Sequence, residues 1–146
     1  MEKRINIQKI EPNAYQAMFA LEEYLNATAL DKSIREIIKI RASQINGCAY
    51  CIDLHTKEAL KNGENQRRIF ALAAWKESPL FSAKEKSVLQ LTEEISLLAI
   101  NGVSKKTYDR VLEYFSDKEV AQLIMQIGTI NLWNRIAVST QIQHKN

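Results

Sequence analysis

Glycine and proline are scarce in this chain, four and two residues of 146. No low-complexity stretch, internal repeat or composition shift marks a linker, so residues 1–146 read as a single domain. At that length a chain buries roughly 68–70% of its unfolded surface, enough for a core that needs no disulfide staple. No apolar run approaches the roughly 18 residues of a membrane span. The opening "MEKRINIQKIEPN" has charges but no apolar region behind them, which excludes a secretory signal and points to the cytoplasm. Net charge is only +3, the basic residues are scattered, and Arg67-Arg68 is the one adjacent arginine pair. Without a basic stripe interleaved with aromatics, no nucleic-acid partner is expected.

Convincing strand alternation is also missing. The best candidate, "RINIQKI" at Arg4 to Ile10, is short and isolated. What is present is helical periodicity, which predicts an all-α bundle of about six or seven helices. A first helix opens at Pro12 and runs to about Asn26, with Tyr15, Met18, Phe19 and Glu22 at helical spacing. A second follows Asp31, a good N-cap, and is broken by Asn46-Gly47. A third carries both cysteines and ends near Gly63. "ENQRRIFALAAW" forms a fourth, ending before Pro79. Capping boxes at Ser82–Glu85 and Ser116–Glu119 open a fifth and a long last helix, and Ser104 starts "KKTYDRVLEYF" between them.

Both cysteines and one of the two histidines fall within eight residues of "NGCAYCIDLHTKEA". On a helix, Cys48 and Cys51 are three apart and Cys51 and His55 four apart, so all three share one face. The Gly47 break puts Cys48 near the helix N-terminus, where free backbone N–H groups and the dipole stabilise a thiolate. A neighbouring imidazole can take the proton. Structural zinc needs four ligands. This cluster supplies three, and the other histidine, His144, lies in a polar tail. Haem attachment needs a histidine directly after the second cysteine, where Ile52 stands. A three-ligand metal site, two buried structural cysteines and thiol redox chemistry all stay open, but in a reducing compartment the histidine one turn on favours redox.

On the preceding helix Ile34, Ile37, Ile38 and Ile45 form one apolar face, while Ile40 lies on another row with Glu36 and Ser43. A helix apolar on two sides is buried on both. Glu36 then sits on a partly buried row leading to the Gly47 break. It is placed either to approach His55 or a cysteine, or to pair at the surface with Lys32 or Lys39.

The run "E(x11)CAYCIDLH" from Glu36 to His55 resembles the active-site signature of alkyl hydroperoxidase D-like proteins, within the carboxymuconolactone decarboxylase family. "ALAAWKESPLFSAKEKSVLQLTEEIS" and "INLWNRIA" resemble its later helices, so the likeness covers roughly Asp31 to Ser139. The resemblance implies an all-helical, AhpD-like bundle, a homo-oligomer, and peroxide reduction with no cofactor or metal. It implies Cys51 as the peroxide-attacking thiol, Cys48 as the resolving thiol, and His55 with Glu36 as a proton relay. A small-molecule hydroperoxide and a dithiol or redox-protein reductant would be the partners. Tyr50 occupies the place where some members carry a further histidine. Helix-end electrostatics instead favour Cys48 as the more acidic thiol and the one that meets the reductant.

In the last helix, apolar residues surround more of the circumference than a surface stripe would. This fits burial in an oligomer or a central core helix equally. Asn134 there is a secondary site candidate. The alternatives to a peroxidase are a redox-sensing oligomer, a metal-binding protein and a decarboxylase-like enzyme. The last is disfavoured by the cysteine pair, which the decarboxylases of the family generally lack.

Overall fold

The computed structural model describes residues 4–145. Nine α-helices follow one another among them: α1 Ile7–Ile10, α2 Pro12–Asn26, α3 Lys32–Ile45, α4 Ala49–Lys61, α5 Gln66–Ala71, α6 Ala83–Ser96, α7 Leu98–Asn101, α8 Lys105–Leu112 and α9 Asp117–Thr140. A 3₁₀ turn, Leu72–Ala74, follows α5, and no strand occurs among the described residues.

The helix starts are fixed by side chains that accept the first free N–H groups. Asp31 Oδ1 accepts from Ser33 N at 2.8 Å and Ile34 N at 3.3 Å. Ser82 with Glu85, and Ser116 with Glu119, form complete capping boxes on α6 and α9. Each such cap stabilises its helix by about 1 kcal/mol.

α3 is the central element and packs against α4, α6 and α9. It is apolar on two sides that serve two cores, but Ile37 falls on the side of Ile40 rather than with Ile34 and Ile38 as the spacing suggested. Ile34, Ile38 and Ala42 join Val88, Leu91, Val111, Phe115, Leu123 and Ile127 in the larger one. Ile37 and Ile40 meet Ala59, Leu72, Trp75, Phe81 and Leu89 in the smaller. The Glu93 carboxylate ties this second layer together: Arg41 reaches it at 3.0 Å, Trp75 Nε1 at 2.8 Å and Lys76 at 3.1 Å.

Three details refine the sequence reading, which found no convincing strand and left the last helix equally open as a core or an interface helix. "RINIQKI" is not a strand; the Asn6 side chain caps Lys9 N at 3.0 Å and turns Ile7–Ile10 into one helical turn. The helix count exceeds six or seven because Ile7–Ile10 and Leu98–Asn101 form separate short α-helices. "ENQRRIFALAAW" ends in the 3₁₀ turn, and the helix from Ala83 breaks at Leu97, next to Ser96, whose hydroxyl is held by Asn131 Nδ2 at 3.0 Å. α9 is a central core helix within the chain: Val120, Leu123, Ile127 and Ile130 are buried in the larger core. Its Trp133 indole donates to Glu22 at 2.9 Å, and Arg135 donates to the Asn131 carbonyl at 3.0 Å. No helix is long and apolar enough to cross a membrane among the described residues.

Candidate active site

The site begins with the turn between α3 and α4. Gly47 has φ +64°, a left-handed conformation that strains any residue with a Cβ. Gly47 N donates to Gln44 O at 3.2 Å and Cys48 N to Ser43 O at 3.0 Å. Those are the two bonds of a Schellman motif, with Gly47 as its left-handed residue. Cys48 therefore closes one helix and caps the next: its Sγ accepts from Cys51 N at 3.2 Å at the head of α4.

The turn is locked onto α9 by amides. Asn46 Nδ2 donates to Asn131 Oδ1 and to Asn134 Oδ1, each at 2.9 Å. Asn134 Nδ2 donates to Ser43 Oγ at 3.0 Å, and Ser43 donates onward to Lys39 O at 2.7 Å. Asn134 is wholly buried, so losing a partner would strand a polar group in the interior. The secondary candidate Asn134 thus holds the turn that carries Cys48.

Cys48 and Cys51 are joined in a disulfide, their Cα atoms 5.3 Å apart. Both are buried, packed against Ala137 of α9 with half-buried Tyr50 alongside. The two sulfurs differ in access. A cleft of about 1100 Å³ runs between α2, α3, α4 and the end of α9, and Cys51 lines it while Cys48 does not. Glu36, Tyr50, Leu54, His55, Glu58 and Asn62 share that lining.

Glu36 and Glu58, two of the three glutamates lining the cleft, have different partners. His55 Nδ1 lies 3.0 Å from Glu58 Oε2, one turn along α4. This hydrogen bond holds the Glu58 carboxyl below the ordinary glutamate range, with burial opposing and the charges of His55, Lys39 and Lys32 assisting. Glu36 is buried and accepts from Asn62 Nδ2 at 2.6 Å. It is neither a surface residue paired with Lys32 or Lys39 nor the direct partner of His55. Tyr15 of α2 faces Tyr50, and burial first, then the Tyr50 hydroxyl, pushes the Tyr15 hydroxyl up. No three His, Cys, Asp or Glu side chains are grouped to hold a metal among the described residues. His144 is exposed beyond the end of α9.

Sequence reasoning missed Glu58, Asn62 and the Asn46–Asn131 bond. Glu58 had a visible signal, the i,i+3 spacing from His55. The amides had a weaker one: Asn131 and Asn134 are polar residues on the otherwise apolar side of a long helix.

An AhpD-like helical fold with a disulfide at the head of a helix defines the class. The family model described as "Carboxymuconolactone decarboxylase family" matches residues 12–94. The chain belongs to the carboxymuconolactone decarboxylase family. It is 40% identical over 139 residues, 95% of each chain, to the uncharacterized protein YdfG of Bacillus subtilis (strain 168). The solved structure of ATU0492 from Agrobacterium tumefaciens, a protein of unknown function provisionally designated an antioxidant defence protein AhpD, superposes with a TM-score of 0.96 at 36% identity over 99% of both chains. The debrominase Bmp8 shares the fold alone, with a TM-score of 0.82 at 17% identity over 94% of this chain and 74% of that one.

Proposed function

We propose that the chain is a thiol-dependent peroxidase of the alkyl hydroperoxide-reducing kind. The observation that carries this reading is the Cys48–Cys51 disulfide at the head of α4, with Cys51 on the cleft and His55 one turn on. The designation of the Agrobacterium protein supports it.

In the reduced chain the Cys51 thiolate attacks the terminal peroxide oxygen. An S–O bond forms, the O–O bond breaks, and the departing alkoxide takes a proton to leave as an alcohol. His55 is the nearby acid–base group: with Nδ1 engaged by Glu58, Nε2 is the nitrogen left for proton transfer. Glu36 lies on the same cleft as a second proton-transfer group. Cys48 thiolate then attacks Cys51 Sγ, the S–S bond forms, and hydroxide leaves and is protonated to water. The two thiols supply the two electrons that reduce the O–O bond.

An external dithiol or redox protein reopens the disulfide. Because Cys51 is the sulfur on the cleft, the reductant attacks Cys51, and Cys48 leaves. Cys48 suits that part: at the N-cap of α4 its thiolate is stabilised, and a more acidic thiol departs faster. This reverses the sequence-based assignment of Cys48 as the thiol that meets the reductant. The exposed apolar residues of α7 and α9, among them Leu98, Ile100 and Leu132, support assembly with further copies. A reducing compartment, the cytoplasm, would supply the dithiol.

The test is catalytic consumption of an alkyl hydroperoxide with dithiothreitol as reductant. Many turnovers per chain support the reading. One oxidation per chain, with no cycling, would make the protein a sensor instead.

A further inference from the structure

The cleft beside Cys51 is far larger than the oxygen atoms it would process. Its volume of about 1100 Å³ lies just above the roughly 300–1,000 Å³ of sites that enclose drug-sized organic ligands. Two groups of its lining residues also differ chemically.

One wall is aromatic. Tyr15 meets Trp133 edge-on with centroids 5.4 Å apart, and Phe19 lies 5.9 Å from Tyr15 and 6.1 Å from Trp133. The Trp133 N–H is committed to Glu22, so this wall offers ring surface rather than a donor. Phe19 remains 43% exposed beside those rings.

A second part of the lining is cationic. Lys32, Lys39 and Lys61 line the cleft and form no ion pair among the described residues. Arg35, beside them on α3, has a buried Nε with no hydrogen-bond partner. The acidic groups of the lining are already engaged: Glu22 by Trp133, Glu36 by Asn62 and Glu58 by His55. The charges of Lys32 and Lys39 reach Glu58, which puts this pole beside the His55 pair.

We propose that the cleft takes an amphipathic organic anion, its hydrocarbon part on Tyr15, Phe19 and Trp133 and its carboxylate at Lys32 and Lys39. Resting on the peroxidase reading, this makes the preferred substrate a carboxylate-bearing aryl or long-alkyl hydroperoxide, with its O–O bond presented to Cys51 on the same cleft. Hydrogen peroxide and small neutral hydroperoxides would use only a fraction of the site.

The experiment separates binding from turnover. The native disulfide form is titrated calorimetrically with 4-isopropylbenzoate and with the neutral 4-isopropylbenzyl alcohol. The carboxylate should bind about tenfold more tightly at low salt, the scale of two partly screened charge pairs. In K32Q/K39Q, and in 1 M salt where the screening length falls to about 3 Å, the difference should shrink to within about twofold. Phe19→Ala should weaken both compounds alike. Equal affinities in the native chain, or no saturable binding of either compound, would overturn the proposal. The reduced chain is then given cumene hydroperoxide and its para-carboxylate analogue. A tenfold kcat/KM preference for the carboxylate supports the substrate class, and equal turnover of both overturns it while leaving the peroxidase reading intact. Selective binding with no turnover of either hydroperoxide supports the anion site and overturns the peroxidase reading.

Discussion

The larger core and the layer around the disulfide are built from different interactions. The core gathers twelve buried residues from Leu30 just before α3, from α3, α6 and α9, and from the Val111–Phe115 stretch, almost all aliphatic. The disulfide layer has only Cys48, Cys51 and Ala137 buried together. Its geometry comes from amides and a hydroxyl, the Asn46, Asn131, Asn134 and Ser43 bonds that tie the Gly47 turn to α9. Apolar burial is non-directional and scales with area, whereas a hydrogen bond fixes distance and angle. The first supplies stability; the second sets where two sulfurs sit relative to a helix N-terminus. Stability and reactivity should therefore separate under mutation.

The sharpest separation is Cys51→Ser, which should abolish peroxide consumption while leaving helical content by circular dichroism unchanged. Its counterpart, Cys48→Ser, should trap a sulfenic acid or mixed disulfide on Cys51, visible by mass spectrometry. On the core side, Ile127→Ala should lower unfolding free energy by about 2–5 kcal/mol in a urea titration. The rate of the folded fraction should stay within about twofold. A large loss of rate there would break the comparison.

His55→Ala should slow the thiol step about 10²-fold, and Glu36→Gln by a similar factor if both move protons. Glu58→Gln should cost less than about tenfold, because that carboxylate is half exposed and its pull on His55 is screened. Stopped-flow oxidation of the reduced chain reads all three. If Glu58→Gln proves worse than Glu36→Gln, the carboxylate that matters is the one hydrogen-bonded to the imidazole.

Asn134→Ala lies on the boundary between the two regions. It should cost about 1–3 kcal/mol, as a buried hydrogen-bonding group is lost and its partners are left short. It should also shift the dithiothreitol ratio at which the disulfide opens, which no pure core mutation should do.

The smallest effect concerns acid. Burial alone pushes the Glu93 carboxyl up, but hydrogen bonds from Trp75, Lys76 and Arg41 outweigh it and hold the group below its ordinary value of 4.5. A depressed folded-state pKa adds stability that is present above the unfolded value and lost as pH falls through the folded one. Glu93→Gln should therefore flatten the fall of melting temperature below about pH 4.5, with little change in the pH profile of the thiol reaction.

Most of the fold was legible because its signals are local. Pro12, Asp31, Ser82 and Ser116 act on backbone groups within one turn, and the helix starts they marked stand where the sequence placed them. The shared face of Cys51 and His55 follows from helical spacing in the same way. The breaks at Leu72 and Leu97 were invisible because no glycine or proline marks them. The Asn62 bond to Glu36 spans 26 residues and the Asn46 bond to Asn134 spans 88, so no period of the chain encodes either. Helical spacing also said nothing about which sulfur faces open space. That depends on α2 and α9 forming a cleft over one side of α4.

The central claim is that Cys48 and Cys51 form a cycling pair with Cys51 meeting the peroxide. It is tested most directly by mass-spectrometric titration of both thiols in the reduced chain, before and after one equivalent of an alkyl hydroperoxide and again after a dithiol. The account predicts rapid loss of both thiols to the intramolecular disulfide, their return with the dithiol, and sulfenic acid on Cys51 when Cys48→Ser is treated alike. Two thiols that remain unreacted with the hydroperoxide would contradict it.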